Sequence, residues 1–144
     1  MDEEEAIAAL LHDADAGGSN RIEDIRMRFG DRVGNIVEGC TDTLENPKPP
    51  WLQRKERYIA HLAGADPSTV LLSACDKLHN ARSIVRDLRE CGDAVWTRFK
   101  GGKEGSLRYY RALERAFGKH ENRHVALIDE LDRVVSEMEG LASS

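Results

Sequence analysis

Apolar residues recur along this chain at intervals of three and four, and no stretch alternates with a period of two, so the pattern predicts helices throughout. The clearest element runs from Pro67 to about Cys91. Leu71, Ala74, Leu78, Ala81, Val85 and Leu88 form its apolar seam, Asp66 caps it, Pro67 sits in its first turn and Gly92 ends it. A second series on the same helix is polar: Thr69, Ser73, Asp76, Asn80, Ser83 and Asp87 also follow at threes and fours, a stripe on an otherwise apolar rod. Before it, the pattern predicts a helix over Glu3–Ala14, apolar on more than one face and therefore expected to be buried. A second helix, capped at Ser19 or Asn20, should present Ile22, Ile25, Met27 and Phe29 and stop at Gly30. A third runs from Asp31 to about Cys40. Prolines 47, 49 and 50 make residues 41–50 a loop, and Pro50 opens a helix to about Ala63 anchored on Trp51, Leu52, Tyr58, Ile59 and Leu62.

Beyond Gly92 the expectations are a short helix or turn around Val95–Phe99 and a loop at Lys100–Lys103. A helix over Gly105–Phe117 and a hinge at Gly118–Asn122 should follow. The last helix is expected over about Arg123–Met138, with Val125, Ile128, Leu131, Val135 and Met138 inward and the remaining tail frayed. The fold class is all-α. A length of 144 residues has room for one domain with a proper core.

Composition narrows the function. A net charge of −5 argues against a nucleic-acid partner, which is gripped by an excess of Lys and Arg. No apolar run is long enough for a bilayer, so no membrane partner is expected. The start, Met1-Asp2-Glu3-Glu4-Glu5, is acidic where a secretion signal would be basic, so a cytoplasmic location is expected. The three cysteines, Cys40, Cys75 and Cys91, lack C-x-x-C spacing, and Cys40 and Cys75 read as reduced thiols in apolar surroundings.

The chemistry lies at two distant points. His12-Asp13 ends the first helix, and Asp76 lies within the apolar run of the longest one. A carboxylate there is costly without a positive partner, and a divalent metal held by His12, Asp13 and Asp76 would supply one. Asp76 can also be read as a carboxylate paired with Lys77 or Arg82, and the neighbouring His79 as a structural imidazole. Lys48, Arg54, Lys55 and Arg57 gather near Trp51 and Tyr58, which suits either a nucleotide phosphate site or a solvated helix face. Arg108, Arg111, Glu114 and Arg115 read as surface charges paired at helical spacing.

Several stretches carry a resemblance: Ala8–Asp13, Phe29–Val33, Ile36–Asp42, Ala74–Arg82, Gly101–Gly105 and Tyr109-Tyr110. Together they resemble the HD superfamily of metal-dependent phosphohydrolases. The branch they look most like holds the guanosine tetraphosphate (ppGpp) hydrolase domains of stringent-response enzymes and their small stand-alone relatives. The resemblance implies a single HD-type bundle of six or more helices, with His12, Asp13 and Asp76 as ligands of a divalent metal, Mn²⁺ by its acceptance of imidazole and carboxylate. Such an ion would lower the pKa of a water for attack on a phosphoester phosphorus. It further implies Asn80 at the nucleotide's sugar, with Lys55 and Arg82 as phosphate or substrate contacts.

Two departures stand out. The family's first ligand, a His on an upstream helix, has no counterpart, so the family's N-terminal helices are expected to be missing. The branch's Glu-Asp pair after His-Asp is also absent, and the segment reads His12-Asp13-Ala14-Asp15-Ala16-Gly17-Gly18, leaving Asp15 as the stand-in catalytic carboxylate. The expected layout is an HD-type domain over residues 1–118 and a C-terminal helix over 119–144, covering the exposed flank or mediating a homodimer. Three functions follow: hydrolysis of a nucleotide phosphoester or pyrophosphate, a degenerate scaffold with a regulatory or assembly role, and an effector-binding interaction module.

Overall fold

The computed structural model describes residues 2–12, 18–40, 50–121 and 123–142, and for residues 12 and 18–21 the backbone alone. Among these residues seven α-helices and one 3-10 helix account for the regular structure, with no strand. They are α1 (Glu3–His12), α2 (Gly18–Phe29), α3 (Asp31–Cys40), α4 (Trp51–Leu62), α5 (Pro67–Cys91), the 3-10 helix (Gly92–Arg98), α6 (Gly102–Lys119) and α7 (Val125–Ala142). No helix among the described residues is long and apolar enough to cross a membrane.

The longest helix is the axis of the fold, and local chemistry sets its ends. The Asp66 carboxylate accepts a hydrogen bond from the Thr69 amide at 2.9 Å, satisfying a donor that the first turn would leave orphaned. Gly92 ends it at φ +64°, a left-handed value that a side chain would strain. Two apolar clusters meet on α5. The larger gathers Tyr58 and Leu62 of α4, the seam from Val70 to Leu88, Trp96, Leu113 and Phe117 of α6, and Leu131, Val135 and Met138 of α7. The smaller joins Ala8 of α1, Ile22 and Ile25 of α2 and Val33, Ile36 and Val37 of α3 to Leu72. Its junction with α5 is tight, because a Cβ on Gly39 would lie 2.6 Å from the Thr69 methyl.

The structure differs from the pattern where helices pack on one side only. Leu10, Met27 and Leu52 are 78%, 85% and 61% exposed, and Val125 is 60% exposed. α1 and α2 both lie against α3, so one face of each suffices and an apolar residue on another face stays in water. The expected all-round burial of α1 is therefore corrected. α6 starts at Gly102, three residues before Gly105, because a positive φ of +65° at Gly102 turns the chain into the helix. α7 continues through Gly140 to Ala142, whose side chain is in the core rather than frayed. It packs along α5 and α6.

Arg111 is also corrected. It is no solvated surface charge: its guanidinium bridges α6 to α7, bonding Asp132 at 2.6 Å, Glu139 at 2.7 Å and the Ser136 hydroxyl at 3.1 Å, and pairs with Glu114 at 2.8 Å. These carboxylates hold the guanidinium charged still more firmly than usual. Charge-assisted hydrogen bonds contribute more than neutral ones, so Arg111→Met is expected to lower stability by roughly 2 kcal/mol. A urea melt checks this, and the loss should shrink in high salt.

Candidate active site

The polar stripe of α5 runs from Thr69, which lies against Gly39 of α3, to Asp87 near the 3-10 helix. Asp76 lies one helical turn beyond Leu72, and Leu72 belongs to the same apolar cluster as Leu11 near the end of α1. Its side chain is only 15% exposed. The Lys77 ammonium stands 3.5 Å from its Oδ2, and the Asn80 carboxamide donates to the same oxygen at 3.5 Å, a long contact. Lys77 is fixed from the other side by the Tyr58 ring, whose centroid is 4.8 Å from Nζ. The Tyr58 hydroxyl in turn bonds the buried Ser73 hydroxyl, so polar members of the stripe hold this ring in place. Burial, with the Asp76 charge behind it, raises the Tyr110 phenol and the Cys75 thiol above their ordinary pKa values, so both stay protonated at neutral pH.

Beside Asp76 and Lys77 opens a cleft of about 440 Å³ between α5, α4, α6 and the 3-10 helix. Its α5 floor is Lys77, Asn80, Ser83, Ile84 and Asp87. The opposite wall is aromatic: Trp51 meets Tyr109 edge-on at 6.2 Å, and Tyr109 meets Tyr110 at 5.5 Å. Lys55 projects over this wall, its Nζ 5.0 Å from the Tyr109 centroid. At the far end Phe99 and Arg98 close the cleft, and Arg98 bonds Asp87 at 2.9 Å. Hydrogen bonding from Arg98 and its charge hold the Asp87 carboxyl below the usual carboxylate range, so it is an ionised acceptor at neutral pH. A partly apolar hollow with a few directed polar groups and cations suits a flat, anionic small molecule.

The HD domain profile matches residues 1–107. The chain belongs to the HD domain family. Curated relatives include the guanosine-3′,5′-bis(diphosphate) 3′-pyrophosphohydrolase MESH1 of Xenopus tropicalis, 36% identical over 90 residues, 62% of this chain and 46% of that protein. The guanosine-3′,5′-bis(diphosphate) 3′-pyrophosphohydrolase of Aquifex aeolicus is 34% identical over 84 residues, 58% of this chain and 12% of that protein. The match thus spans about half the length of MESH1 and a small part of the bacterial enzyme. Among solved structures, the 1.85 Å crystal structure of lmo0812 from Listeria monocytogenes EGD-e superposes with a TM-score of 0.78 at 27% identity, over 100% of this chain and 91% of that one. That superposition includes α7, which lies past the last residue matched to the HD domain profile.

On this HD domain the expected site residues fall into three groups. Asp76, Asn80 and Lys55 come together around the cleft. Asp13 and Asp15 lie outside the described residues, as does the side chain of His12. Among the described residues no three His, Cys, Asp or Glu side chains cluster around a metal position. Of the three expected ligands only Asp76 has a described side chain: its shielded carboxylate, an oxygen donor of the kind a divalent cation takes, faces Lys77 and Asn80 through Oδ2. Arg82 is not brought to the cleft. At about 100° per residue it lies across α5 from Asn80 and Ile84, where it pairs with Glu130 of α7 at 3.1 Å. His79 is exposed, with its carbonyl taken by the Ser83 hydroxyl at 3.1 Å.

Lys77, Arg98 and Phe99 escaped the sequence reading as cleft residues. Lys77 was legible only as a neighbour of Asp76, and Arg98 and Phe99 follow a helix break, where periodicity gives no signal. Gly101 has a use of its own: a Cβ there would lie 2.4 Å from the Trp51 indole. Gly101→Ala is expected to push the indole off the cleft wall at a cost of about 1–3 kcal/mol. A red-shifted tryptophan emission and a lower unfolding midpoint would register it.

Proposed function

We propose that this HD domain is a metal-dependent hydrolase of a nucleotide phosphoester or pyrophosphate, with guanosine 3′,5′-bis(diphosphate) or a similar compound as substrate, Mn²⁺ as cofactor and the cytoplasm as its place of action. The observation that carries the reading is the cleft itself, in which Lys55 and Lys77 stand beside an aromatic wall, with Asp76 and Asn80 at its edge. The pyrophosphohydrolase activity for which these relatives are named supports the choice of substrate.

In this reading each side chain has a task. Lys55 and Lys77 neutralise the phosphate oxygens, and Lys77 does so from a position that Tyr58 restricts. Asn80 orients the sugar. Trp51, Tyr109 and Tyr110 exclude water from one side of the bound nucleotide. Asp76, with His12 and Asp13, would hold the divalent ion, and Asp15 would accept a proton from the attacking water. When bound, such an ion would supply charge neutralisation at phosphorus and a lowered pKa for water.

The assay is pyrophosphate release from guanosine 3′,5′-bis(diphosphate) by the purified chain with Mn²⁺, alongside its metal content. Release that stops on chelation is the expected result. A second reading, a non-catalytic scaffold, is favoured by one sequence feature: Asp15 stands alone where the branch carries a Glu-Asp pair. Metal well below one per chain together with no release would decide for the scaffold.

A further inference from the structure

The cleft sets an acidic group among its cations at one end. Asp87 is the one carboxylate among the described residues that line it, in a hollow that also holds Lys55, Lys77 and Arg98. A carboxylate repels phosphates, so it belongs where the phosphates do not lie. It sits on the same α5 stripe as Asp76 but eleven residues further on, about 16 Å along the helix axis. That separation takes a nucleoside with its phosphate at the Asp76 end and its base at the Asp87 end. The surroundings suit a base: Ile84 and Phe99 line this end, and the Arg98 guanidinium stands 5.8 Å from the Phe99 centroid. Arg98 fixes the carboxylate through Oδ2 at 2.9 Å and the Arg86 guanidinium stands 3.7 Å from Oδ1, and each oxygen keeps a second lone pair for a donor on the base.

We propose that Asp87, oriented by Arg98, is the base-specificity residue of this cleft and selects guanine. The inference rests on the proposed reading of the cleft as a nucleotide site. Guanine presents two adjacent donors, N1–H and the 2-amino group, that match the two oxygens of a carboxylate. Adenine presents an acceptor at N1, which faces a carboxylate unfavourably. A site that accepts hydrogen bonds from a base rejects an analogue lacking those donors, because its polar group is then left unpaired.

The test is calorimetric titration of the full chain, without divalent metal so that nothing is hydrolysed, with guanosine, adenosine and xanthosine 5′-diphosphates. These differ only in the base. The wild type is expected to bind the guanosine compound roughly ten- to a hundred-fold more tightly than the adenosine one, the range of one or two hydrogen bonds to a charged group. Asp87→Asn should lose most of that preference and gain affinity for the xanthosine compound, whose 2-oxo group accepts from the new carboxamide. A residue that merely anchors the 3-10 helix would not produce that gain.

Should Asp87→Asn fail to fold, wild-type discrimination and its weakening in Arg98→Lys carry the same question. Equal wild-type affinity for the three nucleotides, or no binding of any, overturns the proposal. So does Asp87→Asn with an unchanged preference. The outcome is separable from hydrolysis: base selectivity without pyrophosphate release leaves Asp87 in its role and removes only the catalytic reading. Release without selectivity does the reverse.

Discussion

Replacing Asp76 with Asn is expected to reduce pyrophosphate release by roughly a thousandfold or more, since several kcal/mol of stabilisation at the reacting phosphorus go with the metal. The change keeps size and hydrogen-bonding reach while removing the charge. Asp76 lies mid-helix, with its carboxylate facing Lys77 and Asn80 rather than closing a core contact, so the fold should survive. Circular dichroism checks the fold, and titration of Mn²⁺ against each protein separates the two causes of lost activity. A fall in bound metal that parallels the fall in rate supports Asp76 as a ligand. Unchanged metal binding and unchanged rate would sink the role assigned to it.

Phe117→Ala should produce the largest loss of stability. Phe117 is 1% exposed and lies in the larger cluster with residues of α4, α5, the 3-10 helix and α7. Truncation removes the transfer energy of the ring and leaves a cavity that rigid helices fill only in part, at about 3–5 kcal/mol. That is a large share of the roughly 5–15 kcal/mol by which domains of this kind hold together. Urea denaturation would show a lower midpoint at similar slope. A change under 1 kcal/mol would mean that α6 and α7 can collapse onto the space. Because α6 also carries Tyr109 and Tyr110, a collapse should be visible as altered nucleotide binding.

How much was legible in the sequence varied with distance along the chain. α5 could be read to its ends because an Asx cap, a proline in the first turn and a terminal glycine act within one turn. The boundaries of α3 were equally local. Periodicity places Met27, Leu52 and Val125 inward, and the structure exposes them. Periodicity describes one helix and cannot say how many of its faces find a neighbour. Arg111 makes the same point for charge. Its helical spacing to Glu114 was visible, but its bonds to Asp132, Ser136 and Glu139 required α7 to lie alongside α6.

The candidate site divides in the same way. Asp76, Asn80, Ser83 and Asp87 share a stripe because the α-helix repeats every 3.6 residues, and residue order is enough to reveal that. The same repeat excludes Arg82 from the cleft once one knows which side of α5 the cleft occupies. The choice of side came from packing. α7 covers the face with Arg82, Val85 and Arg89, while α4, α6 and the 3-10 helix leave a hollow over Asn80 and Asp87.

Residue order alone determined that the chain is helical, where its longest helix starts and stops, and which polar side chains line up along it, since those depend on contacts within a few residues. Tertiary structure alone decided that Arg98, Phe99 and the tyrosines of the aromatic wall face that line. Their neighbours are remote in sequence, and only burial of the shared apolar core brings them within reach.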